Sequence, residues 1–253
     1  MSAPVFVAPA AASARPGDLL ALDGPEARHA VTVQRRRVGE VIDLVDGAGT
    51  RARGPIEAVG DGALEIRVEA VSRDDDPEVV LVQALAKGGR DEQAVEAAVE
   101  LGATRIVPWA AARCIVQWKG PKAAKGRASW ESQALAAAKQ SRRALVPAVD
   151  PAVATPALAA LVRDAVAAGA RVLILHEEAA VPLTSLTWDD ARTPVWCIVG
   201  PEGGIADDEV TALTEAGAVP VVLGPHVLRA SSAGPAAIAA LAAGRGTWNT
   251  LGA

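Results

Sequence analysis

Three short stretches in the last third of the chain combine residue types able to hold and activate a small molecule. His176-Glu177-Glu178 follows the apolar run Val172-Leu173-Ile174-Leu175. Gly200-Pro201-Glu202-Gly203-Gly204 follows the run from Val195 to Val199. Gly224-Pro225-His226-Val227-Leu228-Arg229-Ala230-Ser231-Ser232 follows the run from Val219 to Leu223. Each run reads as a buried strand, so each stretch is a loop at a strand's carboxyl end. If the three strands are parallel and adjacent, the loops meet at the edge where open α/β sheets bind ligands.

The glycine-rich loop has three readings. It is a plain strand-to-helix turn, a phosphate loop built on backbone N–H groups, or a cradle for a ligand without phosphate, into which glycines let the backbone come close. Asp207, Asp208 and Glu209 crowd the next helix start, complement its dipole and would repel a phosphate. The Gly-x4-Gly-Lys-Ser/Thr motif is also missing. An adenosine carrying a sulfonium suits such a site better. Arg229 either pairs at the surface or clamps an anion or carbonyl with its rigid fork of donors. Ser231 and Ser232 precede Pro235, so they either cap a helix or work in the site. His29, His176 and His226 are the only histidines, and none has a metal-binding spacing. No Gly-x-Ser-x-Gly elbow is present, which excludes the usual serine hydrolase arrangement.

The elements that position these loops divide into two regimes near Arg73-Asp74-Asp75-Asp76-Pro77. Before it, Leu64, Ile66 and Val68 alternate with charged residues, Val41 to Val45 forms a second apolar run closed by Asp46-Gly47, and Gly60-Asp61-Gly62 marks a turn. This predicts a small β-barrel-like domain over 1–73. After it, strands and helices alternate: a strand over 79–82, a helix from Asp91 to Leu101, a strand from Ile106, and helices over Ser129–Arg143, Pro156–Ala168, Asp207–Ala216 and Pro235–Ala243. That pattern predicts an α/β domain over 74–253, with a mainly parallel sheet covered on both faces.

Composition sets the outer limits. Hydrophobic residues make up 51%, enough for a sizeable core and against global disorder. No apolar run reaches the ~20 residues of a membrane helix, and Met1 to Leu20 carries no signal-peptide pattern. Cys114 and Cys197 have no partners in metal or disulfide spacing, so a cytoplasmic protein is expected. The net charge of -5 opposes a nucleic-acid partner, but Arg113 to Arg143 holds eight basic residues against Glu131 alone. Arg28, Arg35, Arg36 and Arg37 form a second cluster. Such runs are either solvated faces or the footprint of phosphate binding.

At this point the motifs resemble a known family. Ile198 to Gly204, followed by Leu223 to Arg229, is similar to the C-terminal signature of the 16S ribosomal RNA (uridine-N3)-methyltransferase family, RsmE type, in the SPOUT superfamily. Leu173 to Glu177, Glu100-Leu101-Gly102, Pro108, Arg113-Cys114, Gln140, Arg143 and Pro147 extend the resemblance backwards. His29, Val33, Arg35, Gly39 and Asp46-Gly47 carry it into the first domain. The resemblance implies a PUA-like barrel, an α/β domain with a deep trefoil knot, a homodimer with its site at the subunit interface, and a small-ribosomal-subunit substrate. It implies S-adenosyl-L-methionine (SAM) bound by Leu175, His176, Glu177, Val199, Gly200, Pro201, Gly203, Gly204, Leu223, Gly224, Val227, Leu228 and Ser232. RNA would meet Arg28, His29, Arg35, Arg113, Arg142 and Arg143.

Uridine N3 carries a proton at neutral pH, so transfer of a methyl group needs a base or a stabiliser of the developing anion. Arg229 is the expected stabiliser, Ser231 or Ser232 the orienting hydroxyl, and Glu202 the candidate acceptor. The chain departs from the family where many members have Thr-Glu-Thr-Ala, reading Ala230-Ser231-Ser232-Ala233 instead. Lys139 stands where Glu is common, and Arg142 replaces a usual Gly. The rival reading is an RNA-binding assembly factor that keeps the fold without the chemistry.

Overall fold

The computed structural model describes residues 3–60 and 62–249, so Asp61 of the expected turn and both chain ends lie outside the described residues. The chain divides into two compact units: Met1–Asp75 with Leu135–Val146, and Asp76–Ala134 with Pro147–Ala253. The return of 135–146 to the first unit is not anticipated by a boundary at residue 73.

The first unit contains β1 (Val5–Val7), β2 (Leu19–Leu22), α1 (Gly24–Arg28), β3 (Val41–Val45), β4 (Thr50–Gly60), β5 (Ala63–Arg67) and β6 (Ala70–Arg73). The sheet runs β1-β3-β4-β5-β2, with β6 also on β4. Only β1 and β3 pair in parallel. A register shift between Ile56 and Ala58 lets the long β4 serve two sets of partners. Leu64, Ile66 and Val68 point inward with Phe6, Leu22, Ile42, Leu44 and Ile56, as their alternation requires. Asp46 Oδ1 accepts the N–H groups of Ala48 (2.7 Å) and Thr50 (2.8 Å), which closes the turn at Gly47.

The second unit contains β7 (Val79–Ala84), α2 (Arg90–Glu100), β8 (Arg105–Ala110), most of α3 (Pro121–Gln140), β9 (Ala148–Val149), β10 (Val153–Ala154), α4 (Thr155–Ala167), β11 (Arg171–Leu175), β12 (Val195–Val199), α5 (Asp207–Glu215), β13 (Val219–Val221) and α6 (Ala230–Gly244). The strand order is β10-β8-β7-β12-β11-β13, with β9 on β8, and every pair is parallel. β7 and β12 are buried throughout, as expected of strands covered on both faces. α6 packs on α2 and across β7 and β12, while α4 packs on α5.

Two helices differ from expectation for identifiable reasons. α3 starts at Pro121, eight residues before the expected Ser129, within the basic stretch from Arg113 to Arg143. Its Gly126 is required by packing: a Cβ there would lie 2.3 Å from the Trp118 ring, which meets Trp130 edge-on at 5.1 Å. α3 ends in a Schellman turn, with Arg143 N–H on Ala138 O (2.9 Å) and Arg142 in the left-handed region at φ 60°. That conformation accounts for the glycine usual at this position. α6 begins at Ala230, not Pro235. A proline inside a helix removes one hydrogen bond and costs about 3 kcal/mol, but the first turns lie flat on the sheet. A Cβ at Gly234 would come within 2.7 Å of Leu81 Cδ1 and 3.2 Å of Val199 Cγ2. Packing therefore overrides the local signal.

Candidate active site

β11 lies between β12 and β13, and the three strands end level, Leu175 opposite both Val199 and Val221. Their loops consequently emerge side by side. Leu183 N–H bonds to Val222 O and Val222 N–H to Val181 O, both at 2.9 Å, which ties the first loop to the third. Together the loops enclose a cavity of about 650 Å³. Its wall takes Leu175 to Glu178 from the first, 199–205 from the second and 222–230 from the third. Every residue expected at the cofactor lines it except Ser232. Ser231 and Ser232 lie in the first turn of α6, outside the wall. Neither caps the helix with its side chain, since Arg229 is the capping residue.

The glycine loop is shaped by close approach. Gly204 has φ +75° and donates to Pro201 O at 2.9 Å. A Cβ at Gly200 would sit 2.5 Å from Ile205 Cγ1, and one at Gly203 3.2 Å from Arg113 Cβ. The backbone thus fills the space that side chains would occupy and presents a smooth rim to a ligand. Arg113 Nη1 donates to Gly203 O (3.2 Å) and Ile205 O (3.4 Å), bracing the loop from below.

The polar groups of the wall have distinct states. Arg90 Nη1 and Glu202 Oε1 form an ion pair at 3.1 Å. Burial alone would raise the Glu202 carboxyl, but the N–H groups of Glu202 and Lys87 and the Arg90 guanidinium outweigh it and hold the pKa below the usual value. A carboxylate so held is poorly matched to the proton-acceptor role expected for Glu202. His176 Nδ1 accepts Glu178 N–H at 3.2 Å, so its neutral form carries hydrogen on Nε2. Arg229 and His226 are exposed at the third loop and face the cavity. Asp207 also lines it. Glu209, read as part of the same acidic surface, is instead buried at 4% exposure.

Sequence reasoning missed Arg90, Ile205 and the inward turn of Glu209. The available signal was Gly88-Gly89, which precede α2 with φ of +70° and +72° and mark β7's end as a fourth specialised loop. The expected RNA residues are dispersed. Arg28, Arg35 and Arg142 are exposed, and Arg35 also has a left-handed φ of 55°. His29 is half-buried, with Nε2 3.1 Å from Gln34 Nε2. Arg113 faces the cavity rim. Arg143 is only 9% exposed, so it offers no surface guanidinium to a phosphate. Lys139 pairs with Glu26 (2.5 Å) and Arg127 with Glu131 (2.9 Å), so the basic stretch is less free than its composition suggests. Among the described residues no metal-binding cluster and no helix able to cross a membrane occur, and both cysteines are free thiols. Burial pushes the Cys114 thiol up to about 11, leaving it unreactive at neutral pH.

A parallel α/β unit with a glycine-cradled cavity at its strand ends, joined to a small β-unit, defines a two-part protein whose α/β unit binds a small ligand at its sheet edge. Residues 74–242 match the model of the RNA methyltransferase domain, and residues 22–69 that of the RNA methyltransferase PUA domain. The ribosomal RNA small subunit methyltransferase E of Mycobacterium tuberculosis is 45% identical over 239 residues, covering 92% of this chain and 89% of that protein. The Bacillus subtilis protein of the same name is 29% identical, covering 87% and 88%. The Neisseria gonorrhoeae ribosomal RNA small subunit methyltransferase E, solved with S-adenosyl methionine bound, superposes with a TM-score of 0.82 at 28% identity, covering 96% of this chain and 98% of that one. The chain belongs to the ribosomal RNA small subunit methyltransferase E family.

Proposed function

We propose that this protein uses SAM to methylate N3 of one uridine in 16S ribosomal RNA of the small subunit. The observation that carries the reading is the convergence of three strand-end loops on one glycine-lined cavity with Arg229 in its wall. The cavity fits the cofactor. Its volume is of the right order for a nucleoside-sized ligand, Leu175, Val199, Leu223, Val227 and Leu228 supply apolar surface, and Glu177, Glu178 and Asp207 make a field that suits a cation and repels phosphate.

Bound there, SAM supplies an electrophilic methyl group on a sulfonium. Gly200, Pro201, Gly203 and Gly204 let the backbone approach it closely, and the Nε2–H of His176 offers a donor at the cavity wall. Arg229 stabilises the negative charge that reaches the uracil carbonyl oxygens as N3 gives its proton to solvent water. Arg90 and Glu202 hold each other across the rim and fix the glycine loop against the start of α2. Ser231 and Ser232 act through the first turn of α6, which sets the position of Arg229 at its cap. The uridine must leave its stack to present N3. Exposed Arg28, Arg35 and Arg142 would contact RNA backbone, which sets register and carries no sequence.

The reading extends to a trefoil knot and a homodimer acting on cytoplasmic ribosomal subunits. In support of the knot, the segment between β11 and β12 bonds to Val222 before α6 and, through Thr193 O, to Arg245 Nη2 (2.5 Å) after it. In support of a self-interface, Val227 and Leu228 are 76% and 40% exposed at the cavity mouth.

Incubating the purified protein with SAM and undermethylated small subunits, followed by mass spectrometry of nuclease-digested RNA, tests the reading. One 3-methyluridine per subunit is expected. The position of Ser231 where many members carry Glu favours the rival assembly-factor reading, and SAM binding with no methyl transfer would establish it.

A further inference from the structure

Glu209 is the third residue of α5, where an acid ordinarily sits in water and complements the helix dipole. Asp207 and Asp208 do so, but Glu209 is buried. Burying a carboxyl group without compensation costs more than the dipole returns, so its bonds must explain its place. They are all to neutral donors. Oε1 accepts Ala112 N–H at 2.9 Å and the Thr155 hydroxyl at 2.5 Å, and Oε2 accepts Ala206 N–H at 3.3 Å. The Thr155 hydroxyl in turn accepts the indole N–H of fully buried Trp109 at 3.2 Å. One side chain therefore joins the loop after β8, the start of α4 and the end of the glycine loop.

The residue after Ala112 is Arg113. Only its Nη1 is committed, to the carbonyls of Gly203 and Ile205, and Gly203 is packed so closely that a Cβ would meet Arg113 Cβ at 3.2 Å. Its Nε and Nη2 donors make no hydrogen bond among the described residues, and Arg113 lines the cavity.

We propose that Glu209 is a positioning residue for Arg113, locking Ala112 and the glycine loop in one register so that Arg113 presents its free guanidinium edge to a phosphate of the substrate RNA. This rests on the RNA-methylating reading above. Arg113 is then the phosphate contact nearest the chemistry, and Glu209 acts only through it.

The test is binding of undermethylated small subunits across a salt series, with SAM affinity measured separately by calorimetry. Arg113→Ala should weaken subunit binding about tenfold, as loss of one charge-assisted contact does, and lower the slope of log affinity against log salt by about one. Glu209→Gln should reproduce both effects, and the double variant should be no weaker than Arg113→Ala alone. SAM affinity should fall by less than subunit affinity, since the brace also steadies the glycine loop, and the salt slope is the readout that loosening of that loop alone would not move. If Glu209→Gln does not fold, Thr155→Val removes another strut of the brace and should lower the slope in the same direction. An unchanged slope in Glu209→Gln, or in Thr155→Val where that variant stands in, overturns the proposal, as do additive effects in the double variant. Failure of the unaltered protein to bind subunits would instead remove the underlying reading and the proposal with it.

Discussion

Among the described residues the first unit buries one carboxylate, Asp43, and the second buries two, Asp91 and Glu209; Asp43 and Glu209 are treated in opposite ways. Asp43 in the first unit is 1% exposed and takes guanidinium groups from Arg51 (2.8 Å) and Arg53 (2.7 Å). Arg51 continues to Asp74 and to Arg142 O (2.9 Å), and Asp74 accepts Ala144 N–H (2.7 Å). Charge is thus consumed within the unit, joining β3, β4 and the returning segment 142–144. Glu209 in the second unit takes only N–H and O–H groups, and of the cavity arginines Arg90 is paired with Glu202 while Arg113 and Arg229 keep donors for a ligand. Around Asp43 arginines are spent on architecture, whereas around Glu209 neutral groups hold the frame and Arg113 beside it keeps donors at the cavity. A buried acid therefore does not by itself indicate a site, because its partners decide what it is for.

The contrast can be broken at three points. The largest effect is expected from Arg229→Ala, which should lower turnover about 100- to 1,000-fold, the loss of one oxyanion-type donor, while SAM affinity and unfolding midpoint stay unchanged. A comparable fall in stability would place Arg229 with Arg51 and Arg53 as a structural cation. Next, Asp43→Asn should destabilise the protein by about 3 kcal/mol, because two guanidinium groups lose a buried partner; half-exposed Arg53 keeps the loss at the low end of that class. Urea unfolding measures it, and SAM affinity of the folded protein should not move, since the bonds of Asp43 involve no cavity residue. Smallest is Gly200→Ala. Its Cβ meets buried Ile205, and strain of about 1–3 kcal/mol should appear as weaker SAM binding in calorimetry. Equal SAM affinity would mean that the close backbone at Gly200 is a turn and not a cradle.

The pocket was legible in the sequence because its three loops each follow an apolar run and carry glycine, proline and acid in short order. Adjacency of β12, β11 and β13 was an assumption that the strand order now supports. What sequence could not show lies in contacts distant along the chain. Glu209 reads as surface acid by its place in a helix first turn, and only its bond to Ala112, 97 residues away, reveals the burial. Arg90 carries no motif until Glu202 meets it across 112 residues. Pro235 reads as a helix start because local rules place proline there, whereas Gly234 lying on Leu81 and Val199 extends α6 back to Arg229. The crossing of 135–146 into the first unit has no local mark, since its anchors are Asp74, Arg51 and Gly47.

The most direct test of the central claim is a crystal structure of this protein grown with SAM. The account predicts the adenosyl and methionyl groups held between residues 175–178, 199–205 and 222–230, with the methyl group open to the side where Arg229 stands. A ligand seated anywhere else, or a cavity collapsed with the three loops apart, would contradict it.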